Sequence, residues 1–99
     1  MSLFELGRVV MTSGIRDLIE NDPERVVMID TCLRRHGSGD FGNICDDDRE
    51  LNEDAIRREL DGERYTDSIM SVYDIYGEEI WIITEWDRSV TTILTPDEY

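Results

Sequence analysis

The sequence predicts an α+β fold: three helices packed on one face of a three- to four-stranded antiparallel meander, in the order β-α-α-α-β-β-β. Three observations predict it. Between residues 13 and 60, apolar residues recur at helical spacing in three segments, two of them opened by acidic N-cap candidates. From residue 66 onward the period changes to two, with Ile, Val, Thr, Tyr and Trp dominant. A length of 99 residues suits one core, so residues 1–99 read as a single domain without linker or internal repeat.

"LGRVVM", residues 6 to 11, is short and β-branched and reads as a strand. It ends at "TSG", where Ser13 is placed to accept from the free amides of a helix whose apolar face is Ile15, Leu18 and Ile19. The second helix has Asp22 as N-cap and Pro23 at the first position, where a missing N–H costs nothing. Val26, Ile29, Cys32, Leu33 and His36 follow along one face, and Gly37 is a natural terminator. In the third helix, Asp46, Asp47 and Asp48 suit the N-terminal end of the dipole, and Arg57 and Arg58 suit the C-terminal end. Asp47 and Glu50 have capping-box spacing, Glu53–Arg57 and Asp54–Arg58 are spaced for ion pairs, and Leu51, Ala55, Ile56 and Leu60 form the expected inner stripe. "SIMSVYDIY", "EEIWIITEW" and "SVTTILT" are then strands joined by hairpins at Gly77-Glu78 and Asp87-Arg88-Ser89, with the first strand joining an edge.

Charge narrows the partners. Ten arginines and no lysine stand against 24 carboxylates, for a net charge of −14. Residues 46–63 alone carry nine acids and three arginines. Such a surface repels phosphate and anionic lipid, so neither direct nucleic-acid binding nor membrane binding is expected, and a basic protein surface is the natural charged partner. A lysine-free, acid-rich chain also follows from a salt-adapted or compositionally biased host. No apolar run reaches the ~20 residues of a membrane span, and the start lacks a signal-peptide pattern, so the cytoplasm is expected. There the two cysteines, Cys32 and Cys45, are expected as free thiols.

Metal patterns are weak. Cys32, His36 and Cys45 with Asp40 match no strong zinc spacing. "DDDRELNEDAIR" has Leu51 and Arg57 where a calcium loop needs glycine and glutamate. No metal and no cofactor is expected. His36, the one histidine, could act as a general base, with Asp40 orienting it and Ser38 or Cys45 as nucleophile. Against this stands a helix-ending histidine bonded to backbone or carboxylate. The Gly37–Gly42 loop likewise has an architectural reading: glycines at positive φ, Asp40 in an Asx-turn, and Phe41 as anchor. Arg88 is expected to pin loops by reaching Asp40 or Glu85.

"HGSGDFG", the acidic helix containing Asn52, and "IWIITEWDRSVTTILTPDEY" resemble a family of small acidic proteins of bacterial plasmids, integrative elements and phages, for which no activity is established. Phe41, Trp86 and Thr95 depart from the family's usual residues. The resemblance implies a mobile-element accessory protein, with recurring positions that nominate a binding patch of His36, Ser38, Asp40, Asn52, Glu85, Asp87, Arg88 and Thr91. A second candidate surface is acidic: Asp46, Asp47, Asp48, Glu50, Glu53 and Asp54. The expected function is a non-enzymatic acidic interaction protein, imitating DNA to inhibit a nucleic-acid-binding or defence complex. The alternative is a small hydrolase or ligand-binding domain built on His36, Asp40 and Arg88. A monomer or a homodimer through a sheet edge is expected.

Overall fold

The computed structural model describes residues 2–63 and 67–99. In chain order it contains β1 (Arg8–Met11), α1 (Ser13–Ile19), α2 (Pro23–Gly37), α3 (Asp46–Leu60), β2 (Ile69–Ile75), β3 (Glu78–Thr84), β4 (Val90–Leu94) and a closing 3-10 turn, Pro96–Glu98. The predicted onset of alternation at Thr66 lies outside the described residues. The α+β order holds. The sheet order is β1-β4-β3-β2, with β2–β3 and β3–β4 antiparallel. One pair departs from the predicted meander: β1 runs parallel to β4.

The strand that β1 joins follows from which edge is open. Along β2, the outward peptide groups of Met70 and Val72 are already engaged. The Asn52 side chain donates to the Met70 carbonyl (2.8 Å) and accepts from its N–H (3.2 Å). Val72 N–H donates to the Phe41 carbonyl (3.0 Å), and Asn43 N–H donates to the Val72 carbonyl (2.7 Å). A side-chain amide and a loop thus end the sheet at β2, a standard defence against edge pairing. The other edge, β4, is the one left for β1. Gly7, at φ +64, lets the chain pass against the Arg88–Ser89 backbone, where Arg8 N–H donates to the Ser89 carbonyl (2.9 Å).

One sheet face packs against the helices. There Ile15 of α1 and Ile29 and Cys32 of α2 meet Tyr73, Ile75, Ile80, Ile82 and Ile93 in one apolar cluster. Phe4, Phe41, Ala55, Ile56 and Ile69 form a second.

Several local expectations are corrected. Ser13 does not cap α1: Thr12 holds the N-cap position, and the carboxylate of Glu98, from the far end of the chain, accepts from Gly14 N–H (3.0 Å) and the Thr12 hydroxyl (2.5 Å). Asp22 does cap α2, accepting from Arg25 N–H (3.1 Å). That helix runs through Gly37 and stops at Ser38; the left-handed glycine is Gly39, at φ +93. Cys45, not Asp47, is the N-cap of α3, so the Asp47–Glu50 capping box does not form. The inner stripe of α3 is Asn52, Ala55 and Ile56, whereas Leu51 and Leu60 are 58% and 73% exposed. Arg57 pairs with Asp54 rather than Glu53, while the Asp54–Arg58 pair is present (3.7 Å). The first hairpin turns one residue earlier than expected. Tyr76 (φ +51) and Gly77 (φ +86) are its two central residues, both left-handed as a type I′ turn requires.

The edge closure predicts a stability cost. Asn52→Ala strands two peptide groups of Met70, and Gly42→Ala drives a methyl group into the Val72 carbonyl from a φ of +71. Urea unfolding is expected to show each variant destabilised by about 2 kcal/mol. A loss under about 0.5 kcal/mol, the level of an ordinary surface substitution, would contradict the closure.

Candidate functional site

The predicted binding patch resolves into separate groups. Its centre is buried: His36 is 0% exposed, at the last turn of α2, with the Phe4 ring edge-on at 5.4 Å and the Phe41 ring at 6.4 Å. His36 Nδ1 lies 2.5 Å from Ser71 Oγ, and Nε2 lies 2.9 Å from Thr84 Oγ1. Thr84 Oγ1 lies 2.7 Å from Thr91 Oγ1, whose hydroxyl reaches the Leu6 carbonyl at 2.6 Å. The chain of bonds crosses β2, β3 and β4 and ends on the segment that leads into β1.

The final acceptor sets the direction of every bond. A carbonyl can only accept, so the Thr91 hydroxyl donates to Leu6. Thr84 then donates to Thr91, and to do so accepts from His36 Nε2–H. In the neutral ring, which burial and the Arg88 charge favour, Nδ1 is bare and accepts from the Ser71 hydroxyl. This assigns a neutral Nε2–H tautomer and uses each hydroxyl proton once. A protonated ring would turn Nδ1 into a donor facing Ser71. Burial, together with the positive charge of Arg88, lowers the His36 pKa from 6.5 to about 4.

Arg88 is also buried. Its guanidinium donates from Nε to Glu59 of α3 (2.8 Å) and from one terminal nitrogen to the carbonyls of Asp67 (2.9 Å) and Glu85 (3.0 Å). It pins loops as predicted, but the carboxylate it reaches is Glu59, not Asp40 or Glu85. Arg88 sits at φ +60, a conformation held by these contacts and by its N–H bond to the Glu85 carbonyl. Glu85 is exposed in the same turn, and Asp87 accepts from Ser89 N–H (3.0 Å) and its hydroxyl (2.6 Å), which lowers the Asp87 pKa.

Asp40 is held elsewhere. It forms a two-pronged pair with Arg35 (2.8 and 3.2 Å), which lowers its pKa, and it accepts from Gly42 N–H (3.3 Å) in the expected Asx-turn. Its carbonyl accepts from the buried Tyr73 hydroxyl (2.7 Å), and the Arg35 guanidinium covers the Tyr73 ring at 4.8 Å. Ser38 donates to the Arg35 carbonyl (3.0 Å).

The structure therefore brings His36 and Thr91 together in the core, places Asn52 on the β2 edge, and assigns Ser38 and Asp40 to one loop and Glu85, Asp87 and Arg88 to another. His36, Asp40 and Arg88 do not converge around a shared cavity; each is engaged with different partners. Both ring nitrogens of His36 are occupied by hydroxyls away from solvent, which removes the geometry a general base needs. Cys32 is buried in the core with its thiol pKa raised by burial, and Cys45 is exposed at the start of α3. Among the described residues, no cluster of three His, Cys, Asp or Glu side chains is arranged to hold a metal ion.

Sequence reasoning missed Ser71, Thr84, Arg35, Glu59 and Glu98. Ser71 and Thr84 did carry a signal: both are polar residues on the core-facing phase of strands whose other buried positions on that phase are Ile and Tyr.

The acidic surface is different in kind. Asp46, Asp47, Asp48, Glu50 and Glu53 of α3 are all exposed, and Asp54 is half-exposed. Asp47, Glu50, Glu53 and Asp54 border one open concavity around the exposed Leu51, closed at one end by Arg57. Asp46 pairs with Arg49, and Asp54 with Arg57 and Arg58. Among the described residues, no cation lies within ion-pair distance of Asp47, Asp48, Glu50 or Glu53. No described helix is long and apolar enough to cross a membrane. Comparison with family models, curated proteins and solved structures finds no match for this chain.

The buried bond chain predicts a pH dependence. The native pKa of His36 lies below that of the unfolded chain, so between about pH 6.5 and 4 the unfolded state binds the extra proton. Stability from this group is complete above about 6.5 and lost as pH falls through that window, by on the order of 3 kcal/mol. His36→Gln, which keeps one donor and one acceptor but does not titrate, is expected to flatten the urea-unfolding free energy across the window, and His36→Ala to be less stable than His36→Gln at pH 7. A wild-type profile that is flat from pH 6.5 to 4 would contradict the assignment.

Proposed function

We propose that this protein is a non-enzymatic interaction protein whose working surface is the solvent face of α3, offered to a basic groove on a nucleic-acid-binding protein in place of DNA. The observation that carries this reading is the row of Asp47, Glu50, Glu53 and Asp54 along one concavity, with Asp47, Glu50 and Glu53 unneutralised by any described cation. Side chains three or four residues apart on a helix stand about 5–6 Å apart at Cβ, similar in order to the spacing of phosphates. Arginines arranged for phosphate meet an equivalent array on α3. Rigidity supports the reading further: Asn52, Ala55 and Ile56 fasten the opposite side of α3 to the β2 edge and the core, so the carboxylates are displayed on a fixed backbone.

A mobile-element origin fits the same picture. An accessory protein that occupies the DNA site of a host defence protein requires no catalytic centre, and the likeness of "HGSGDFG" and "IWIITEWDRSVTTILTPDEY" to small acidic plasmid and phage proteins agrees with it. The partner is a basic protein surface, not nucleic acid or membrane.

Immobilised wild-type protein is expected to retain DNA-binding proteins from a bacterial lysate at low salt and release them near 1 M NaCl, where the screening length falls to about 3 Å. Duplex DNA should compete for the same proteins. The variant D47N/E50Q/E53Q, which removes three negative charges, should lose retention, whereas D17N/E20Q at the C-terminal end of α1, which removes two, should keep it. Retention that ignores salt, or that both variants lose equally, would overturn the reading.

A further inference from the structure

The sheet has a second face, and its register sorts that face into rows. Arg8 pairs with Val90 at one end. Next comes Val10–Thr92–Ile83–Met70, then Leu94–Trp81–Val72, and the far end is Asp74–Glu79. Residues paired across strands share a face, and these are out of phase with the core residues Thr91, Ile93, Ile80, Ile82 and Tyr73. Both apolar clusters are drawn from the core phase. On the second face the chain end places Tyr99 edge-on to Trp81 at 5.3 Å; Val72 and Leu94 are buried there, and Val10, Met70, Trp81, Ile83 and Thr92 are half-buried.

The two middle rows are therefore almost wholly apolar, yet they lie on a chain of net charge −14. The charges sit at opposite corners: Arg8 on the β1 edge, Asp74 and Glu79 at the β2–β3 hairpin end. Arg8 has no carboxylate within ion-pair distance among the described residues, and neither Asp74 nor Glu79 has a cation. A positive corner diagonal to a negative one is self-complementary under a two-fold axis lying in the face along the other diagonal. That operation lays Arg8 of one copy over Asp74 and Glu79 of the other, stacks the apolar rows, and crosses the strands near 90°, a known sheet-packing geometry.

We infer that this protein forms a homodimer by face-to-face packing of the second sheet face, with Arg8 of each copy paired to Asp74 and Glu79 of the other. The occupant is a second copy because the charge pattern matches itself. The sheet edges are not required: β2 is closed by Asn52 and the Phe41–Asn43 loop. α3 packs on the core side, so the two acidic helices face outward on opposite sides of the dimer, and their repulsion falls as salt shortens the screening length, ~8 Å at physiological ionic strength. The face measures about 15 by 17 Å from strand spacing and rise, roughly 250 Å² per copy against the ~800 Å² of a stable interface, so the dimer is weak and transient, with a dissociation constant expected at hundreds of micromolar.

Analytical ultracentrifugation of the full chain from about 1 to 500 µM, at low and at 0.5 M salt, tests this against a monomer mass of 11.6 kDa. A reversible monomer–dimer equilibrium is expected, tightening with salt as the net repulsion of the two copies is screened; binding by the acidic helix weakens with salt, so the two associations are separable. Thr92→Arg, at a half-exposed position already polar, should leave thermal unfolding and circular dichroism unchanged and abolish the dimer. Arg8→Glu should weaken it about fivefold, and combining it with Asp74→Arg and Glu79→Arg should restore it. A monomer under every condition would overturn the inference. So would a dimer insensitive to Thr92→Arg, which must be held elsewhere, or a charge-swapped variant that fails to recover.

Discussion

Hydrogen-bond directionality in the buried chain from Ser71 through His36, Thr84 and Thr91 to the Leu6 carbonyl is the constraint on which the rest of the architecture depends. Five polar groups are withdrawn from water, and a single unmatched donor or acceptor among them would cost about 1–3 kcal/mol. In the neutral imidazole that burial and Arg88 favour, all are matched only with the proton on Nε2. On the core face, this polar row lies between the two apolar clusters: Ser71 separates Ile69 from Tyr73 along β2, and Thr84 follows Ile80 and Ile82 along β3. Non-directional packing alone would let the strands slip against α2. The bonds fix the helix end, three strands and the N-terminal segment in one register.

Residues that look chemically equipped in the sequence are therefore occupied in holding the fold. His36 is committed to hydroxyls, Asn52 to a strand edge, Arg88 to Glu59 and two carbonyls, and Asp40 to Arg35. Arg88 also lowers the charge tolerance of the core, since its guanidinium disfavours a proton on His36. Outside this scaffold lies the rest of the surface. That surface has two unlike parts on opposite sides of the sheet: the acidic outer side of α3 and the apolar second face.

The three helices and the three-strand meander were legible because periodicity and caps act locally. Asp22 and Pro23 fix the start of α2, and the alternation in "IWIITEW" and "SVTTILT" sets each strand's phase. The placement of β1 beside β4 was not legible, because it depends on Asn52 and the Phe41–Asn43 loop having closed the β2 edge, which is a tertiary event. The cap of α1 was hidden for the same reason: its carboxylate, Glu98, is 84 residues from Gly14. In α3, Leu51 and Leu60 drew the inner stripe toward themselves, but the helix is rotated so that Asn52 can reach Met70. Of the candidate site, the acidic row on α3 was readable from i, i+3 and i+4 spacing. The buried role of His36 was half readable, through Ser71 and Thr84 at core-phase positions. The pairing of Arg88 with Glu59 was not, since nothing local joins a hairpin turn to the end of α3.

The neutral, directional state of His36 can be observed directly, because the chain has one histidine. Long-range 1H–15N correlation spectra of the 15N-labelled protein across an acid titration report the tautomer and the protonation state together. The account predicts a pyrrole-type Nε2 and a pyridine-type Nδ1, with the ring neutral down to about pH 4. A ring that titrates near 6.5 in the folded protein, or one protonated on Nδ1 alone, would contradict it.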